Sequence, residues 1–182
     1  GLRQAGAPTN PEAYSRLILA WTVLFTQPGM PMIYYGDEVG LPGYGDPDNR
    51  QALWWNGVDT QNTTVNAVAD SIAEGPSRVL RAVAALSLAR SNHPALRTPN
   101  QIEWWDGGPG LYATAHRTDN DQAIVVINRT ADEQWLDNGL AFAALDAQSW
   151  RNVLTEEVIT ADGDRLLFSI PPYSSQVWVP SE

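Results

Sequence analysis

The chain has 182 residues, of which 43% are hydrophobic and 18% charged, and these values are typical of a folded globular protein of one domain or one and a half. The formal net charge of −10, with eleven Arg scattered among twenty-one acids and no Lys, argues against nucleic acid as a partner. No apolar run reaches the roughly 18 residues of a membrane span, and the absence of Cys excludes disulfides and thiolate metal sites.

The first predicted element is a helix over residues 10 to 26. Asn10 is a good N-cap, Pro11 suits the first helical position, and apolar residues then recur at helical spacing. After "QPGMP", the apolar run "MIYY" at 32 to 35, closed by Gly36, predicts a strand buried on both faces, as parallel strands are.

A Gly-, Pro- and Asp-rich loop follows to about residue 76, and apolar spacing predicts a second helix over 77 to 91. Helix, buried strand, loop and helix form the pattern of an α/β repeat unit.

Short β-rich runs separated by turn signals make up the rest of the chain. Their spacing of about ten residues and their alternating apolar positions predict an antiparallel β-sandwich. The predicted strands are "QIEWW", "GLYATAHR", "QAIVVINR", "QWLD", "SWRNVL", "RLLFSI" and "SQVWV". We therefore expect two domains, 1–95 and 96–182.

The loop after the predicted strand is rich in acids and glycines. Asp46, Asp48 and Arg50 have the 1-3-5 spacing of a calcium loop, but the cationic fifth position and the missing sixth Gly and twelfth Glu exclude an EF-hand. An irregular oxygen site with Asp37, Glu38 or Asp46 stays open. A phosphate site is disfavoured, because four acids would repel the ligand.

Sugar binding is the third interpretation of this loop. Carboxylate and guanidinium groups bind hydroxyls, and aromatic faces stack on sugar rings. Asp46 and Arg50 lie four residues apart beside Tyr44, with Trp54 and Trp55 just beyond. The alternative is that Asp46 and Arg50 pair with each other and only hold the loop, and the residues alone leave both interpretations open.

"PGMPMIYYGDEVGL" (28–41) followed by "GDPDNR" (45–50) closely resembles the α-amylase superfamily of glycoside hydrolases. The resemblance implies that 32–35 is the eighth strand of a (β/α)8 barrel and that the flanking helices are its seventh and eighth. "SNHPALR" (91–97) is similar to the family's junction, and the β-rich remainder would be the small sandwich that follows the barrel.

The family's D-P-x-N-R motif matches residues 46, 47, 49 and 50. By resemblance, Asp46 and Arg50 line the glucose subsite next to the cleavage point on its non-reducing side. The resemblance assigns loop-shaping roles to Gly36, Asp37, Glu38, Pro47 and Asn49.

The family cleaves α-glucosidic bonds with retention, through an Asp nucleophile, a Glu acid/base and a second Asp. By the family's layout all three lie upstream of Gly1, so we expect no catalytic residue here and no activity of this chain alone. The family's seventh strand ends in an Asn-His-Asp-like run. Asn92-His93 is similar to that run only in its first two residues, because Pro94 follows and the pair lies at a helix end. We expect no cofactor: calcium is possible in the parent protein, but this chain indicates no metal ligand.

Two functional hypotheses remain. The chain is either the C-terminal part of a retaining α-glucan-active hydrolase or transglycosylase, or part of a non-catalytic α-amylase-like scaffold or carbohydrate-binding module. The intact "GDPDNR" favours the first. The expected partners are an α-glucan or short malto-oligosaccharide and the missing N-terminal barrel portion. Trp104, Trp105 and Trp150 could be sugar platforms, although packing in the sandwich core is the simpler interpretation.

Overall fold

The computed structural model describes residues 10–43, 45–53, 63–105 and 110–181. Within these ranges the α-helices are α1 Pro11–Thr26, α2 Val65–Asp70 and α3 Glu74–Asn92, and short 3-10 helices span Asp37–Val39, Asp48–Arg50, Pro94–Arg97 and Ala141–Ala143. The strands are β1 Gln101–Trp105, β2 Leu111–Arg117, β3 Gln122–Asn128, β4 Gln134–Gly139, β5 Ser149–Asn152, β6 Val158–Thr160, β7 Arg165–Ile170 and β8 Ser174–Pro180. None of the helices in the described ranges has the length and apolar character that crossing a membrane requires.

Both predicted helices are confirmed. Helix α1 begins where its capping signals place it, because the Asn10 side chain accepts a hydrogen bond from the Glu12 N–H at 3.0 Å. Helix α3 starts three residues before the predicted position. The short helix α2 lies inside the stretch that was predicted as loop, where the Thr64 hydroxyl caps it by accepting from the Ala67 N–H.

The predicted buried strand at 32–35 is wrong in this structure. These residues form no strand, and Met32 and Tyr34 are 80% and 49% exposed. A strand needs a neighbour to accept and donate its backbone hydrogen bonds, and none of the described strands pairs with this segment. An apolar run alone therefore did not suffice to make it a strand.

The prediction of antiparallel strands is confirmed. All seven predicted runs lie on strands, and only the short β6 was missed. Among the described residues the strands form a six-stranded sheet in the order β1-β2-β3-β8-β5-β6 and a two-stranded sheet of β4 and β7, with antiparallel pairing throughout.

Strands β3 and β8 are covered on both faces, which makes the molecule three layers thick. On β3, Val125 faces the helices while Ile124 and Val126 face the β4–β7 sheet. The helical layer is joined to the sheet by apolar packing and by a 2.7 Å hydrogen bond between the hydroxyls of Thr22 and Ser175. One apolar cluster thus spans the proposed boundary near residue 95, and the division into 1–95 and 96–182 stays a prediction.

Candidate functional site

The segment that leads into the candidate loop is held by a compact turn around Gly36. The Gly36 N–H donates to Glu38 Oε2 at 2.7 Å, and its carbonyl accepts from the Leu41 N–H at 2.9 Å. Gly36 has a φ of +93°, and a Cβ there would lie 2.8 Å from a methyl group of Leu41, so no other residue fits without strain. Asp37 lies in the same turn with its side chain exposed.

Asp46 and Arg50 are brought together by the 3-10 turn Asp48–Arg50. The turn is closed by hydrogen bonds from the Asn49 N–H to the Gly45 carbonyl at 3.1 Å and from the Arg50 N–H to the Pro47 carbonyl at 3.0 Å. The guanidinium then meets the carboxylate at two points, Nε to Oδ1 at 2.9 Å and Nη2 to Oδ2 at 3.1 Å. Both side chains remain about two-thirds exposed, at 65% for Arg50 and 64% for Asp46.

Tyr35 lies within electrostatic range of Arg50 and stacks with Tyr34, and sequence reasoning missed both tyrosines as site residues because it placed them in a buried strand. The rings of Tyr34 and Tyr35 are 4.7 Å apart between centroids and are 49% and 42% exposed. Loss of hydration and hydrogen bonding with Tyr34 raise the pKa of the Tyr35 hydroxyl, and the nearby positive charge of Arg50 opposes them. The signal that could have found these residues is the Tyr-Tyr pair at the end of the apolar run.

The Asp46–Arg50 pair provides both polarities of hydrogen bonding on one exposed surface. An exposed ion pair contributes only about 0.2–1 kcal/mol to stability. The guanidinium has five N–H donors and the carboxylate about four acceptor positions, so their two mutual contacts leave three donors and about half of the acceptor positions for a ligand. The arrangement can therefore bind a neutral ligand that carries hydroxyl groups.

The remaining predicted residues are placed as follows. Tyr44, Trp54 and Trp55 lie outside the described residues. Trp104 and Trp150 are 1% and 0% exposed and belong to the core between the sheets, so they are not sugar platforms. In the described part of the chain, no three His, Asp or Glu side chains come together as a metal-binding group.

A polar cleft of about 410 Å³ lies at the junction of α3 with the β2–β3 turn, and sequence reasoning did not single it out as a site. Its wall includes His93, whose Nδ1 is 3.1 Å from Asp121 Oδ1, while Asp121 Oδ2 accepts from the Ala95 N–H at 2.9 Å. Both carboxylate oxygens of Asp121 are thus occupied by His93 and by the Ala95 N–H. These contacts join the end of α3 to the β2–β3 turn.

Comparison with known proteins identifies the fold and the family. No family model matches the chain. Cyclomaltodextrin glucanotransferase of Paenibacillus macerans is 30% identical over 152 residues, which cover 84% of this chain and 18% of that protein. Amylopullulanase of Thermoanaerobacterium saccharolyticum is 27% identical over 191 residues, which cover 96% of this chain and 14% of that protein.

The crystal structure of AmyP in complex with maltose has the same fold, with a TM-score of 0.74 at 21% identity, and the match covers 96% of this chain and 36% of that one. The chain spans less than a fifth of the length of the two sequence relatives. The part of these proteins that it matches is the C-terminal part. The chain therefore belongs to the α-amylase superfamily of glycoside hydrolases and corresponds to the C-terminal portion of such proteins.

Proposed function

We propose that this chain is the C-terminal part of a retaining α-glucan-active glycoside hydrolase or transglycosylase. In this proposal residues 1–95 complete a (β/α)8 barrel with an N-terminal portion, and residues 96–182 form the accessory β-sandwich. The names of the relatives, cyclomaltodextrin glucanotransferase and amylopullulanase, support α-glucans as the substrate class.

The loop of residues 36–50 contributes a sugar subsite through Asp46 and Arg50. The observation that carries this assignment is the two-point contact of the pair at 2.9 and 3.1 Å with both side chains still about two-thirds exposed. A glucose unit presents neighbouring hydroxyls that are both donors and acceptors. The carboxylate accepts from one hydroxyl while the guanidinium donates to the next, so the pair can hold one face of the sugar in a fixed orientation.

In the reaction this chain would bind and orient the substrate without breaking the bond. The three catalytic carboxylates of the retaining mechanism are expected upstream of residue 1. Contacts that hold a sugar in the subsite next to the cleaved bond reduce the entropy that must be lost to reach the transition state. Their removal is therefore expected to lower kcat/KM and to leave the fold intact.

The experiment is Arg50→Ala in the full-length protein, assayed on maltotriose and maltohexaose. Loss of a charged hydrogen-bond donor to substrate corresponds to about 1.5–3 kcal/mol, so kcat/KM should fall roughly 10- to 100-fold. The matched control is Arg16→Ala, because Arg16 and Glu12 form another exposed ion pair with the same four-residue spacing on α1.

The control should retain full activity. Unchanged kinetics in Arg50→Ala would return the Asp46–Arg50 pair to a purely structural role. A full-length sequence without the three carboxylates would instead establish the non-catalytic alternative, a scaffold or carbohydrate-binding protein of the same fold.

A further inference from the structure

The two-stranded sheet of β4 and β7 has one face against the core and one face toward solvent. Its inner face contributes Leu136, Leu166, Phe168 and Ile170 to the apolar core between the sheets. Alternate positions point the other way, and they carry Trp135 and Asp137 on β4 and Arg165 and Leu167 on β7. This outer face lies on the side of the molecule opposite α1 and α3, which cover the other side of the six-stranded sheet.

Trp135 is the exception among the tryptophans whose side chains are described. Its exposed fraction is 59%, whereas Trp21, Trp104, Trp150 and Trp178 are at most 5% exposed. Leu167 is also 59% exposed. In the register Trp135 is opposite Ser169 and Asp137 is opposite Leu167, so the indole and the Leu167 side chain are diagonal neighbours on the same face. The chain thus keeps a flat aromatic ring in water on an ordered sheet.

A charged pair stands beside this ring. Arg165 Nε and Nη2 lie 2.9 and 2.7 Å from Asp137 Oδ1. The hydrogen bond from Arg165 holds the pKa of Asp137 below its usual range, and the same contact raises the pKa of Arg165. Both groups are therefore charged at neutral pH, and the pair carries no net charge. Both of these contacts end on Asp137 Oδ1, so the pair retains donors and acceptors for a ligand.

We propose that this outer face of β4 and β7 binds an α-glucan chain. One sugar ring stacks on the indole of Trp135, and hydroxyls of the next sugar hydrogen-bond to Asp137 and Arg165. Positions two apart on a strand are separated by about 7 Å, so Trp135 and Asp137 can contact different sugar units of one chain. The ligand class rests on the proposed function, but the residues are different ones.

The chemistry of the face favours this occupant over others. A polyanion would need unpaired cations, and here the cation is neutralised by Asp137. A second protein copy would need about 800 Å² of buried surface on each side, whereas this face offers two large apolar side chains, Trp135 and Leu167. A sugar chain needs only one aromatic platform and a few hydroxyl contacts.

The test uses the 182-residue chain and maltoheptaose as the probe, with isothermal titration calorimetry as the measurement. Trp135→Ala should raise the dissociation constant of maltoheptaose about tenfold or more, because the stacking surface is lost. Trp135→Phe, which keeps an aromatic ring, should recover most of the affinity. The matched control is Phe142→Ala, since Phe142 is 71% exposed on the same domain but lies outside β4 and β7; its affinity should equal that of the unmodified chain.

Several results would overturn the proposal. The first is that the unmodified chain does not bind maltoheptaose, and the second is that binding is unchanged in Trp135→Ala. The third is self-association of the chain that Trp135→Ala abolishes, because this would identify the face as an interface between copies. Binding lost in Arg50→Ala but kept in Trp135→Ala would refute this site while supporting the loop subsite. Binding lost only in Trp135→Ala, with full-length Arg50→Ala fully active, would support this site and refute the other. If Trp135→Ala fails to fold, the indole ¹⁵N–¹H signal of Trp135 in the unmodified chain decides: a shift on adding maltoheptaose supports the site, and no shift refutes it.

Discussion

Arg90 is the residue whose replacement tests most directly how the helical layer is joined to the rest of the molecule. It lies near the end of α3, is 6% exposed, and its hydrogen bonds within the described residues go to backbone carbonyls. Nη1 donates to the carbonyls of Phe25 at 2.7 Å, Gln27 at 2.9 Å and Leu96 at 2.8 Å, and Nη2 donates to the carbonyl of Gly29. One guanidinium thus joins the end of α1, the segment leading to the candidate loop and the 3-10 helix Pro94–Arg97 that precedes β1.

The effect of Arg90→Met can be worked out from these contacts. The carbonyls of Phe25 and Leu96 are buried and would lose their donor, at about 1–3 kcal/mol each, while those of Gln27 and Gly29 are partly buried and can turn to water. Part of this loss is recovered, because burial penalises the guanidinium and lowers its pKa. We expect the free energy of unfolding to fall by about 3 kcal/mol, a large share of the roughly 5–15 kcal/mol of a typical domain.

The free energy of unfolding of Arg90→Lys should lie between those of the unmodified chain and Arg90→Met. A compact ammonium group has three donors and cannot reach four carbonyls that come from three segments. The measurement is urea unfolding at neutral pH, comparing the free energy of unfolding at equal slope. Arg97→Met is the control, since Arg97 is an exposed arginine in the adjacent 3-10 helix. A loss below about 0.5 kcal/mol in Arg90→Met, equal to that of the exposed control, would refute the reasoning.

Two further predictions concern buried groups. Burial lowers the pKa of His116 to about 4 from 6.5, so between these pH values the unfolded chain binds a proton that the native histidine does not. The free energy of unfolding should therefore fall by up to about 3 kcal/mol as the pH drops from 6.5 to 4. In urea unfolding, His116→Gln should lack this part of the pH dependence. The same pH dependence in His116→Gln and the unmodified chain would contradict the prediction. Gly75→Ala places a Cβ 2.3 Å from the buried ring of Tyr14. This substitution should lower the thermal midpoint of unfolding, because overpacking costs about 1–3 kcal/mol and the gain in helix propensity is only about 1 kcal/mol. A raised midpoint would show that the Tyr14 ring moves aside freely.

Features that depend on neighbouring residues along the chain were predictable from the sequence. The Asn10-Pro11 start of α1 and the seven strand runs follow from capping chemistry and from alternation, which act over a few residues. The misses were short elements, β6 with three residues and α2 with six, which hold too few positions to establish a period. The motif at 45–50 was singled out by its acid- and glycine-rich composition, and its subsite role came from the resemblance to the α-amylase superfamily and stays a prediction.

Features that depend on what lies beside a segment were decided by the tertiary structure. Residues 32–35 have the composition of a buried strand, yet they pair with no described strand, and Tyr34 and Tyr35 are 49% and 42% exposed. Trp104 on β1 and Trp135 on β4 both lie on strands, but one is 1% and the other 59% exposed. Alternation along a strand tells which residues share a face, whereas only the packing of another layer determines whether that face is removed from water.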